Sequence, residues 1–317
     1  MRKEFDFVGH RKLFLIISGC VIALGILFNI LFGVNMDISF TGGTLLSYSH
    51  TGTVAEKDVE KLAADILGKE IDGVDDVGGT VSITLSERIT LEEQDAVTKA
   101  MEEKYPGQEI LLTKASSLDA PMGHMFFIKC LVAVALAAAL LMIYVAFRFR
   151  KIGGWSAGIA GLLALFNDLL VAYFAFVIFR IPLNDNFVAV LLSILGYSLN
   201  DTIVVYDRIR ENRRLMDPKT PIRDVVNRSI NQSFTRTLNT SICTFIAIAT
   251  VAVVGLIFNL DSIISFAVPM MFGVISGFYT SVFLCSPLWA RWQQHILDKN
   301  QANKAQKKGS SPKKQKA

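Results

Sequence analysis

Charge is what this 317-residue chain has least of: 19% of its residues are Asp, Glu, Lys or Arg, against 52% hydrophobic. An average soluble domain is about one quarter charged, so this composition excludes an ordinary soluble fold and points to a polytopic membrane protein. Cysteine is scarce as well. Cys20, Cys130, Cys243 and Cys285 each sit in an apolar run without a CxxC partner, which excludes a disulfide framework or a zinc site. The four histidines (His10, His50, His124 and His295) form no HExxH or similar spacing, so metal chemistry has no support. No GxxxxGK[ST] segment occurs, so energy has to come from ions or from a partner. The chain is not expected to be an enzyme, to hold a cofactor or to bind nucleic acid.

Apolar runs of spanning length alternate with polar segments. Residues 1–12 are a polar N-terminus. Leu13 to Gly33 is a first span, too long for a signal peptide and without an A-x-A cleavage site. Residues 34–123 change character, with 17 acidic and 7 basic side chains. Inside them Asp37–Ser49, Thr80–Leu85 and Glu109–Lys114 read as strands. Ala55–Leu67 and Leu91–Tyr105 read as helices, the first with Val59, Leu62, Ala63 and Ile66 on one face. The order β-α-β-α-β predicts a small α+β sandwich between spans one and two. Residues 124–290 hold five more spans: Met125–Phe147, Gly153–Phe179, Phe187–Tyr206, Thr237–Phe258 and Ile263–Trp289. The arginine-rich connection 207–236 interrupts them. The basic tail 291–317 reads as disordered.

Lysine and arginine set the orientation. The N-terminus has 4, the loop after span two 3, the stretch 207–236 has 8 and the tail 8, together 23 of 32. The positive-inside rule places both termini in the cytoplasm and the acidic domain outside. The bilayer is the first partner this implies, and the tail adds the option of contact with anionic lipid.

The stretch Gly196–Arg214, GYSLNDTIVVYDRIRENRR, carries the chemistry. Asp201 lies among apolar residues, where a charge costs roughly 2.5–3.5 kcal/mol on insertion scales and so calls for a partner or a task. At about 100° per residue Tyr197, Asp201, Val204 and Arg208 share a stripe. The best partner is Arg236, in NQSFTRTLNTS (231–241). It lies ~12 Å along its helix from Arg228, and Asp201 ~10 Å along its own from Arg208, so antiparallel helices bring both to similar depth. A neighbouring arginine favours the charged acid and desolvation opposes it. An acid so balanced can act as a proton relay. Asp168, beside Asn167 in span three, is deeper and has no basic partner; it either caps a polar cluster or carries a proton in line with Asp201. Gly154-x3-Gly158 and Gly273-x3-Gly277 are close-packing signals of low specificity.

The fourth-span motif, followed by NQSFTRTLNTS, by ISFTGGTL at 38–45 and by GFYTS…SP at 277–287, resembles the SecD/SecF family of protein-export membrane proteins, within the RND superfamily. The likeness runs over nearly the whole chain. It implies six spans of the RND type and a ferredoxin-like extracytoplasmic domain after span one. It also implies a SecD-like six-span partner, the SecYEG channel and a translocating polypeptide, with proton-motive force as the drive. Asp201 and Arg236 fall on the family's relay positions. Asn167-Asp168 stands where the family has His-Asp.

Three functions remain open: a proton-driven (or sodium-driven) subunit assisting late translocation, a subunit of a small-molecule exporter, or a non-transporting scaffold in the bacterial cytoplasmic membrane. A single six-span half with one small domain argues against a complete pump.

Overall fold

A computed structural model of the chain describes residues 5–118, 120–217 and 219–309. Helix α1 (Arg11–Phe32) is the first apolar crossing. A folded insertion follows, made of α2 (Ile38–Thr41), β1 (Gly43–Ser49), α3 (Glu56–Leu67), β2 (Gly73–Val77), β3 (Thr80–Leu85), α4 (Leu91–Lys104) and β4 (Leu111–Leu118). Then come α5 (Ala120–Arg148), α6 (Gly154–Ile178), α7 (Asp185–Leu215), α8 (Ile222–Ile257), α9 (Asp261–Tyr279) and α10 (Ser286–Gly309), the last two joined by a π-helical turn at Thr280–Cys285. Six helical stretches are long and apolar enough to cross a membrane, with α9, the π turn and α10 forming the sixth. Successive crossings alternate direction, so the sheet domain sits at one end of the bundle and the basic segments at the other.

The insertion is an antiparallel sheet of order β2-β3-β1-β4 under two helices, the β-α-β-β-α-β connectivity of a ferredoxin-like domain. Alternation puts Leu46, Tyr48, Val81, Ile83 and Leu85 on the covered face, against Val59, Ala63, Val97 and Met101. Helix α4 starts in a capping box: the Glu93 amide donates to Thr90 Oγ1 at 3.2 Å and the Thr90 amide to Glu93 Oε2 at 2.7 Å. Strand β2 is absent from the sequence expectation. Its composition, Gly-Val-Asp-Asp-Val, is poor in strand formers, and pairing with β3 overrides it. The available signal was Gly78-Gly79, both at positive φ, a two-residue hairpin link.

The polar connection 207–236 is mostly helix, since α7 runs to Leu215 and α8 starts at Ile222. Ion pairs at i,i+3 spacing, Arg208–Glu211 at 2.5 Å and Arg210–Asp207 at 2.8 Å, support the polar part of α7. The tail, expected without regular structure, continues as α10 to Gly309. Its Ala, Gln and Lys residues are good helix formers, and residues 310–317 lie outside the described residues.

The bundle is uneven. Helices α6, α7 and the sixth span bury half or more of their apolar windows, whereas α1, α5 and α8 bury about a fifth. Glycine sets the closest crossings. A Cβ on Gly154 would lie 2.0 Å from the Ala146 carbonyl oxygen, whereas one on Gly161 meets nothing within 4 Å. Gly154→Val is therefore expected to force α5 and α6 apart at a cost of about 1–3 kcal/mol. Thermal unfolding in detergent checks it, with Gly161→Ala as the silent control on the same helix.

The N-terminal segment is clamped onto α8. Asp6 accepts from Asn227 Nδ2 at 2.6 Å, from the Gly9 amide at 2.8 Å and from Arg223. Partial burial works against its charge, but these donors outweigh it and hold the Asp6 carboxyl below the usual carboxylate range. A depressed value in the folded chain means the clamp is fully present above the free-Asp value of about 3.9 and is lost as pH falls through the lower folded value. Amide exchange at residues 7–10 is expected to stay slow through mild acid. Opening already near neutral pH would contradict this.

Candidate functional site

The two intramembrane acids sit in opposite surroundings. Asp168, on α6, is fully buried. Ser276 Oγ donates to its Oδ1 at 2.5 Å and Ser198 Oγ to its Oδ2 at 2.6 Å. Thr280 Oγ1 reaches both oxygens, at 2.9 and 2.8 Å. These hydroxyls come from α9, α7 and the first residue of the π turn. Asn167 Nδ2 donates to Ser276 Oγ at 3.3 Å and its Oδ1 accepts from Ser18 of α1. No cation reaches the group among the described residues. A ring of neutral donors surrounds the carboxylate instead.

The glycine seam explains how three helices come this close. Gly273 packs on Ile194 and Gly277 on Ser198, where a Cβ would lie 3.0 Å from the serine Cβ. The Gly273-x3-Gly277 spacing thus serves one crossing, of α9 on α7, that delivers Ser198 and Ser276 to Asp168. Below it Thr202 Oγ1 and Ser281 Oγ lie 2.9 Å apart, and the Tyr206 hydroxyl and Cys285 Sγ 3.1 Å apart. All four are buried. The π turn has a cause in sequence: Pro287 supplies no amide to the carbonyl four residues earlier, and a wide turn relieves the clash of its ring.

Asp201, on α7, is also buried, at 1% exposure, but it is thinly held. Ser241 Oγ of α8 donates to its Oδ2 at 3.3 Å. One turn earlier on α8, Thr237 Oγ1 is buried with no hydrogen-bond partner among the described residues. The stripe read from sequence faces α8 as expected: Asp201 meets Ser241, and Arg208 Nε donates to Gln232 at 2.8 Å. Arg236 lies between Gln232 and Ser241 along α8, so its depth matches. The expected contact does not. Among the described residues no ion pair joins Arg236 to Asp201. The arginine is exposed and lines a groove of about 620 Å³ between α7 and α8, shared with Val204, Asp207, Arg208 and Arg214. Its lining carries four arginines, Arg208, Arg210, Arg214 and Arg236. Asp207 is held there by Arg148 of α5 at 3.2 Å and by Arg210, which fits a role at the border.

Ser198, Ser276 and Thr280 were missed in the sequence. Single hydroxyls in apolar helices carry no spacing signal, and only the neighbouring Gly277 hinted at a crossing. Among the described residues no group of three or more His, Cys, Asp or Glu is placed to hold a metal.

A family profile described as "Protein export membrane protein SecD/SecF, C-terminal" matches residues 97–295. The protein translocase subunit SecF of Alicyclobacillus acidocaldarius is 33% identical over 307 residues, covering 94% of this chain and 96% of that one. The protein translocase subunit SecDF of Bacillus subtilis is 30% identical over 95% of this chain, which spans 40% of that longer protein. In structure the chain is similar to SecDF of Thermus thermophilus, a translocon-associated membrane protein, with a TM-score of 0.80 and 26% identity. The match covers 92% of this chain and 39% of the other. Six apolar crossings, a ferredoxin-like domain after the first, and matches of this extent agree. The chain belongs to the SecD/SecF family of protein-export membrane proteins, as a multi-pass, non-enzymatic SecF-type subunit.

Proposed function

We propose that this chain is the SecF half of a proton-driven complex that assists late translocation of secretory polypeptides through the Sec channel. The observation that carries the reading is Asp201, a buried acid with one long hydrogen bond among the described residues, on the same helix as Val204 of the groove that holds Arg236. An acid so weakly satisfied can take a proton and give it up, and an arginine of matching depth, in no ion pair among the described residues, can compensate the charge when the proton leaves. Arg236 then alternates between groove and acid, and the pair forms the relay. The complementary acid comes from a SecD-like half packed on the thinly buried faces of the bundle. Relatives in which the matched segment is two fifths of a SecDF chain support that partner. Lys/Arg segregation supports cytoplasmic termini, with the sheet domain outside, where it meets the emerging polypeptide.

Vesicles carrying this chain, a SecD-like half and the SecYEG channel test the proposal. An imposed proton gradient is expected to speed late translocation of a secretory precursor, and a sodium gradient of equal size to leave it unchanged. No gradient effect, together with resistance to added small solutes in cells, would favour an exporter instead.

A further inference from the structure

We propose that Asp168 is a second proton-binding site of this chain, and that Thr280 at the head of the π turn reads out its occupancy. The proposal rests on the proton-driven reading above and extends it from Asp201 to the sealed centre of the bundle. Three observations carry it. First, the carboxyl group is fully buried at membrane depth with no cation among its partners in the described residues. A charge there is expensive unless something neutralises it. Second, the oxygens of the cradle lie 2.5–2.9 Å from the carboxylate. These are hydrogen-bond lengths, and each partner is a hydroxyl that can donate or accept. The neutralising species that fits is a proton. Third, Thr280 already has an alternative acceptor, the Gly277 carbonyl at 3.3 Å.

The bookkeeping of hydrogens is simple. Without the proton, Ser198, Ser276 and Thr280 all donate to the carboxylate. When a proton adds to Oδ2, one hydroxyl has to become an acceptor. Thr280 can turn its hydrogen to Gly277 O and accept from the new acid. No bond other than O–H forms or breaks. The exchange takes place on the first residue of the π turn, whose hydrogen bonding Pro287 has already weakened. A wide turn that moves along a helix rotates the residues it passes, and such turns recur at functional sites. Trp289 follows directly. It is fully buried, its ring lies 5.9 Å from that of Tyr206, and its indole donates to Ser156 at 3.1 Å. Proton uptake at Asp168 thus reaches the start of α10. Around Asp168 the facing groups are Asn167 on α6, Ser198 on α7, Ser276 on α9, and Thr280 and Cys285 on the π turn. Cys285 is the titratable group among them.

The test uses the purified full chain in detergent micelles, with Trp155→Phe and Trp292→Phe so that Trp289 reports alone. As pH is lowered, infrared spectra are expected to gain a carboxylic acid band that Asp168→Asn removes. Trp289 emission is expected to shift with the same midpoint. Thr280→Val keeps the band and loses the emission shift. Should Asp168→Asn fail to fold, Ser276→Ala, which removes one donor to Oδ1, assigns the band by displacing it. No Asp168-dependent band at any pH where the chain is folded would overturn the proposal, as would an unchanged emission shift in Thr280→Val. Sodium added at constant pH and ionic strength is expected to move neither signal, and a sodium-specific shift would overturn proton binding in favour of a metal cation. Asp201→Asn leaves both signals in place, so the Asp201 relay and the Asp168 site can fail separately.

Discussion

Asp168→Ala is expected to cost the bundle several kcal/mol. The change removes the acceptor of three buried hydroxyls on α7, α9 and the π turn and leaves a void at their crossing. Each buried donor left without a partner costs about 1–3 kcal/mol. Rotation of Ser198 and Ser276 toward carbonyls of their own helices recovers part of that, so the sum settles near the middle of the range. Net stabilities run at about 5–15 kcal/mol, so a loss of this size is expected to show as a much lower yield of folded chain. Asp168→Asn keeps an acceptor oxygen and the volume, and is expected to be milder. The ratio of folded to aggregated protein after detergent extraction, followed by thermal unfolding, measures both. Equal stability of Asp168→Ala and the unmodified chain would mean that the cradle holds nothing together.

The second large effect is functional. Asp201→Asn is expected to abolish stimulation of translocation by a proton gradient and to leave folding and assembly near normal. The structural cost is small because, among the described residues, one hydrogen bond, of 3.3 Å from Ser241, engages the acid, and an amide oxygen can accept it equally well. The functional cost is complete because an amide neither gains nor loses a net proton in this pH range. Moving one charge across 100 mV supplies about 2.3 kcal/mol, enough for a population bias of roughly 50-fold between two arrangements of the domain. Arg236→Met is expected to reduce the same stimulation while leaving Asp201 in place. A variant at Asp201 that assembles and responds to the gradient as before would make the Asp201 and Arg236 neighbourhood a structural feature of a scaffold.

The difference between these two acids marks where sequence reading ends. Asp201 and the stripe with Arg208 were legible because α7 is a regular helix, and 100° per residue places both toward α8. The depth of Arg236 was legible from rise per residue, but the direction of its long side chain was not. A long side chain has several rotamers, and tertiary surroundings choose among them. Asp168 was legible as a buried acid, but its hydroxyl donors come from three helices whose order in space no periodicity reveals. The crossings themselves could be read from hydrophobic runs of spanning length. Strand β2 escaped because two aspartates and a glycine weigh against a strand that its hairpin partner nonetheless holds. The π turn escaped although Pro287 stood in plain view, since a proline near a helix start reads equally well as an ordinary first turn. Helix α10 escaped because a lysine-rich, hydroxyl-poor tail has the same composition whether coiled or helical.

The most direct test of the account is proton flux. The chain and its SecD-like half are reconstituted in vesicles with a pH-sensitive dye inside, and an outward-to-inward gradient is imposed while a precursor is translocated. The unmodified complex is expected to pass protons in step with translocation, and the Asp201→Asn complex, at equal assembly, to pass none above the lipid background. Equal flux through both complexes would contradict the account and place the proton path, if this complex has one, away from Asp201.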